Sequence, residues 1–190
     1  MSTPSPTPER AASDPLKNAG KDAYDDWFSE SPDIFKALGN LQYGADRTLA
    51  FAVETRVLLA DPKQYPDLEK KLLGLLKDVK EDAARTTICR LLSYIGTEES
   101  VPVVAPLLLN AKTADDARLA LEPIPGEVVS TAFRNALPKL SGDALAGLIG
   151  SIAIRGDASA VSAIKQIAAA PGQSPVVRTT AERALKAHLS

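Results

Sequence analysis

One cysteine and one histidine occur in 190 residues, and that scarcity removes whole classes of chemistry. A lone Cys89 cannot form an intrachain disulfide, and a structural zinc site draws on several Cys or His ligands. Cys89 follows Ile88 in a helix-like run, where a free cysteine acts as a small buried hydrophobe. His188 stands so near the end of the chain that fraying would leave it solvated and a poor base. Neither a metal nor a cofactor is expected. Aromatic residues make up only 5% of the chain, while alanine and leucine abound, as in closely packed helices. Charge of one sign is scarce as well. The formal net charge is −2, so no basic footprint marks a binder of nucleic acid or anionic membrane. No apolar run approaches bilayer-spanning length.

Residues 1–20, MSTPSPTPERAASDPLKNAG, lack the apolar stretch of a signal peptide. Their Pro, Ser, Thr and Ala bury too little surface to order the segment, so they read as a flexible leader. A mature secreted protein whose signal has been removed would look the same as a cytoplasmic one, and localisation stays open between them.

Repetition is what the chain does have. Gly96, Gly126 and Gly156 recur at intervals of about thirty residues, each closing an apolar run: SYIG, EPIPG and AIRG. That interval is the range of helical repeat arrays. Glycine is favoured just past a helix end because it reaches the left-handed conformation without a Cβ clash. Thr97-Glu98-Glu99, Glu127 and Asp157-Ala158-Ser159 follow the glycines, and such residues suit the start of the next helix. Between the marks the apolar spacing is helical. Ala84, Ile88, Leu91, Leu92 and Ile95 form one stripe, as do Leu68, Leu72, Leu75 and Leu76, and later Leu145, Leu148, Ile149 and Ile152. Leu49, Val53, Val57 and Ala60 give another over residues 44–60. No segment alternates like a strand. The fold class is all-α, built of stacked helical hairpins.

The chain divides into the leader, a single repeat domain over 21–190, and subunits within it. Residues 21–62 read as N-terminal capping helices. Tyr24, Trp27 and Phe28 give them an aromatic stripe, and Ser31-Pro32-Asp33 restarts a helix. Repeats follow at 66–96, 99–126, 127–156 and 158–190. Pro123 and Pro125 cannot continue a helix, so the second repeat's second helix is cut short there. Residues 144–154 are apolar nearly all round and are expected to be the most buried helix. Terminal units of a repeat array act as caps, so a monomer is expected.

LEKKLLGLLKD (68–78), AARTTICRLLSYIG (83–96) and SVPVVAPLLL (100–109) resemble the HEAT and HEAT-like helical repeats. They follow that family's first helix, Asp-containing turn, Val/Ala-Arg start of the second helix and apolar end. The resemblance spans roughly residues 44–190 and implies an ARM-like α-solenoid, a right-handed α-α superhelix. It also implies a ladder between neighbouring repeats, made by the turn Asp and the Arg that starts the second helix. Asp78, Arg85, Arg118 and Arg178 stand at matching positions. Asn110 replaces the second Asp, and Leu148 lies near the third Arg position. The second helices would line a concave, partner-binding side. On the stripe argument Thr86 and Arg90 point away from Ile88 and Leu92, so with Arg155 they are the candidate binding residues.

No nucleophile, base or metal set comes together. Asp25-Asp26, Glu98-Glu99 and Asp115-Asp116 lie near helix starts, where acids stabilise the helix dipole. Gly142, Gly147 and Gly150 lack the strand and lysine of a phosphate loop. The expected function is a non-catalytic scaffold that binds a protein or peptide on its concave face, without nucleic acid or membrane. Two alternatives stand beside it. One is a HEAT-like enzyme or enzyme subunit, a bilin lyase with a bilin-sized groove or a DNA-repair glycosylase with a basic concave face. The other is a structural module of a larger secreted protein, with the leader as its linker.

Overall fold

Prolines, glycines and short polar turns cut the chain into brief helices. The computed structural model describes residues 34–188. Ten α-helices run through them: α1 (Ile34–Gly39), α2 (Thr48–Leu59), α3 (Tyr65–Asp78), α4 (Asp82–Ile95) and α5 (Val101–Val104), then α6 (Ala114–Leu121), α7 (Glu127–Ala136), α8 (Gly142–Ile154), α9 (Val161–Ala169) and α10 (Pro175–His188). Short 3₁₀ turns fall between several of them, and no strand occurs among the described residues. The leader and the aromatic stripe of Tyr24, Trp27 and Phe28 lie outside the described residues, as does the side chain of His188.

Consecutive helices pair as hairpins: α1 with α2, α3 with α4, α5 with α6, α7 with α8 and α9 with α10. The even-numbered helices also touch one another in chain order, from α2 through α10. Among the odd-numbered ones, α1 meets α3, α3 meets α5 and α5 meets α7. Apolar stripes explain the pairing. Leu72, Ile88, Leu92, Phe133, Ile149 and Ile152 lose all contact with solvent. Burying each such side chain stabilises by roughly 1.5–3 kcal/mol. Residues 34–60, expected as part of a cap, form the hairpin α1–α2, whose helices pack on α3 and α4 in turn.

Pro102 stands in the first turn of α5, where its missing N–H is harmless. Pro106 then removes a donor one turn on, and the chain tightens into a 3₁₀ stretch, Ala105–Leu109. The first helix of this hairpin is therefore only four residues long.

Two expectations change in the structure. Gly96 is not left-handed: its φ is −64° and its ψ 148°. Glycine is required there for space, because a Cβ would lie 2.5 Å from the Leu92 carbonyl oxygen and 3.1 Å from Ile124 Cδ1. Gly126 does have a positive φ of 105°, and a Cβ there would run into the Glu98 carboxylate. Helix α8 is not buried all round either. Leu145, Leu148, Ile149 and Ile152 are covered, but Ile154 is 73% exposed, and Ala144, Gly147 and Gly150 are partly open. One side of α8 thus stays partly exposed, and its small residues contribute to its apolar composition there.

Candidate functional site

Thr86 and Arg90, two of the three residues that the sequence singles out for binding, lie on sides of the even-numbered helices that keep some exposure. On α4, Asp82, Thr86, Arg90 and Tyr94 follow one another at four-residue intervals, so they share a face. The opposite face is the buried stripe Ala84, Ile88, Leu91 and Leu92. On α2, Phe51 and Leu58 share a face at seven-residue spacing, with Glu54 between them. Phe51 is 64% exposed and Tyr94 59%. Leu119 on α6 and Ile154 on α8 add further exposed apolar groups.

Arginines bridge these helices. Arg90 Nη2 donates to Glu54 on α2, and Glu54 also accepts from Arg47 at 3.4 Å. Arg85 donates from Nε to Asp116 on α6 at 3.0 Å and from Nη2 to Asp82 at 2.8 Å. Burial works to lower the Arg85 pKa, but its hydrogen bonds to the two carboxylates outweigh that and the net movement is upward. Arg118 on α6 reaches Ser151 on α8 at 3.2 Å and Glu122 at 3.4 Å. The Ser151 hydroxyl donates to Glu122 in turn. Gly147 leaves the room: a Cβ there would sit 3.2 Å from Arg118 Nε. Arg134 on α7 donates to Asp157 at 2.7 Å and also to Glu127.

Arg155 has the most demanding task. Helix α6 stops at Leu121, and Pro123 and Pro125 lie in the turn beyond it. Helix ends leave carbonyls without intrahelical donors. Arg155, at the end of α8, supplies donors to the carbonyl just past α6 and to two more in the turn: Nη1 to Glu122 O at 2.7 Å and Ile124 O at 2.5 Å, and Nη2 to Gly126 O at 2.9 Å. Its guanidinium carbon lies 5.9 Å from the centre of the Phe133 ring, within cation–π range.

The predicted residues thus fall into different roles. Arg155, expected to bind a partner, is engaged internally. Arg90 is held by Glu54 and keeps 41% of its side chain exposed. Thr86 is partly open, with the Tyr43 hydroxyl 3.5 Å from its own. Arg85 and Arg118 do bridge neighbouring hairpins, but through Asp116 and Ser151. Asp78 is exposed at the end of α3 and makes no ion pair among the described residues. Arg178 is exposed on α10 and likewise meets no carboxylate there. Sequence reasoning passed over Glu54, Glu69 and Arg134, and read Asp116 only as an acid near a helix start. Glu69 is 4% exposed and accepts from Thr97 N at 2.8 Å and from the Ser100 hydroxyl at 2.6 Å. Its spacing from Leu72, Leu73 and Leu76 was the available signal, since that places it on the buried side of α3.

Cys89 is fully buried, and burial pushes its thiol up to about 12. It is held as the unreactive thiol rather than the thiolate. No helix among the described residues is long and apolar enough to cross a membrane.

The chain matches no protein-family model, no curated protein and no solved structure.

Proposed function

We propose that this chain is a HEAT-like α-solenoid that acts as a non-catalytic scaffold, holding a protein or peptide against the open face of its even-numbered helices. The row of contacts from α2 to α10 supports a stacked array of hairpins; the right-handed superhelix with these helices on its concave side is what the HEAT-like resemblance implies. The observation that carries the binding reading is the exposure on that face of Phe51, Leu58, Tyr94, Leu119 and Ile154. Exposed apolar groups rimmed by polar ones are what partner-binding surfaces present. Thr86 and the open part of Arg90 supply polar contacts between Phe51 and Tyr94. Arg155 is left out of the recognition set, because both its Nη groups donate to carbonyls of its own chain.

The test is capture from native lysate with two baits, the wild-type chain and a Phe51→Ser, Tyr94→Ser, Ile154→Ser variant of equal helicity, followed by cross-linking mass spectrometry. A partner that cross-links to α2 and α4 of the wild type and is lost from the variant supports the reading. A partner kept equally by both baits sinks it.

A further inference from the structure

We infer that the groove between α3 and α5, built from the odd-numbered helices, is a second binding site and takes an extended acidic peptide segment with an apolar residue at its centre. The groove measures about 730 Å³ and is lined by Leu73, Gly74 and Val103 between Lys70 and Lys77 on one rim and Glu99 on the other. Three sequence features open it. Pro106 ends α5 after four residues, so little helix stands opposite α3. Gly74 contributes no side chain, and a Cβ there would meet nothing within 4 Å. Glu69, which also borders the groove, is turned inward onto Thr97 and Ser100.

Charge chooses the occupant. The cations of the even-numbered helices from α4 to α8 are paired with acids or carbonyls of their own chain, whereas Lys70 and Lys77 are exposed and meet no carboxylate among the described residues. They lie on one side of α3 with Gly74 between them. At 1.5 Å per residue they stand about 10 Å apart along the axis. An extended peptide advances about 3.3 Å per residue and its side chains alternate between faces, so acids at positions i and i+4 share a side, stand about 13 Å apart and come within reach of both flexible lysines. An apolar side chain between them then falls over Gly74, against Leu73 and Val103. Glu99 on the far rim repels an acid placed there and so fixes which edge of the peptide faces α3.

The site shares no residue with the open face of the even-numbered helices, so the two readings stand or fall apart. The probe is a phage-displayed library of twelve-residue peptides panned on the full chain. Enriched peptides are then made with a fluorescein label and titrated by anisotropy. The expected result is a consensus of two acids four residues apart with an apolar residue midway between. Affinity should fall at least tenfold in Gly74→Leu and in the double variant Lys70→Glu, Lys77→Glu. Leucine is a better helix former than glycine, so Gly74→Leu fills the groove in a folded protein, which a thermal melt verifies. The proposal is overturned by panning that yields no such consensus, or by consensus peptides that bind Gly74→Leu as tightly as wild type. Peptides lost from Phe51→Ser, Tyr94→Ser but kept by Gly74→Leu would overturn it too, while favouring the other face.

Discussion

The junction between α6 and α8 and the junction between α8 and α10 join the same helix to its two neighbours by different physics. On the α6 side, Arg118, Glu122 and Ser151 form a polar bridge, and Arg155 reaches across to three carbonyls of the turn after α6. On the α10 side no ion pair crosses among the described residues. Val177, Ala181 and Ala184 are buried there, and the charges of α10 (Arg178, Glu182, Arg183 and Lys186) all face solvent. On the α6 side the turn that holds Pro123 and Pro125 leaves carbonyl acceptors, and Arg155 satisfies them. Where α10 runs unbroken, small side chains let helices approach and apolar contact suffices. A row of packed helical hairpins can thus keep one pattern of contacts while the forces at each junction follow the local sequence.

Removing the arginine is the most severe way to break this contrast. In Arg155→Ala, three carbonyls near the end of α6 lose their donors and Phe133 loses its covering cation. Hydrogen bonds from a charged group are worth about 1.5–3 kcal/mol each, and buried acceptors left unpaired cost about as much. Water reaches part of the site, so the expected loss is about 3 kcal/mol, seen as a lowered denaturant midpoint with unchanged slope. Arg155→Lys should recover only part of it, because one ammonium cannot span three carbonyls as a planar fork does. An Arg155→Ala protein as stable as wild type would show that water serves these carbonyls equally well.

The apolar junction should fail through volume instead. Ala181 is fully buried, and Ala181→Leu forces extra methylenes between tightly apposed helices. Overpacking of this kind typically costs 1–3 kcal/mol, and about 2 kcal/mol is expected by the same denaturation measurement. Hydrogen exchange should rise in α9 and α10 and leave α4 and α6 protected. Loss of protection across the whole chain would mean that the two junctions are not separable.

The helical stripes were legible because buried positions recur with the helix period, and Leu145, Leu148, Ile149 and Ile152 lie inside as their spacing requires. Pro123 and Pro125 announced where α6 must stop. What they could not announce was the consequence: carbonyls left without donors had to be met from elsewhere, and Arg155 does so from about thirty residues away. An arginine at a helix end looks identical in sequence whether it faces a partner or its own chain. Asp78 misled for a related reason. The resemblance supplied a position for the ladder acid, but the guanidinium of Arg85 went to Asp82, one turn away, and to Asp116 on the next even helix. The exposed side of α8 was hidden by composition, since Ala144, Gly147 and Gly150 read as apolar whether covered or not.

The smallest effect sharpens the polar side of the comparison through pH. Glu127 is held below the usual glutamate range, chiefly by its hydrogen bond from Arg134, with desolvation acting the other way. A carboxylate whose folded pKa is depressed adds stability that is fully present above its ordinary pKa, near 4.5, and is lost as pH falls through the lower folded value. Glu127→Gln removes that contribution at every pH. The melting temperatures of wild type and variant should therefore differ slightly at pH 6 and converge as the pH drops below the ordinary carboxylate range. Arg134 keeps Asp157 at 2.7 Å in both proteins, which limits the difference and makes it the least of the three. A gap that persists unchanged to pH 2 would place the effect in packing or helix propensity rather than in the ion pair.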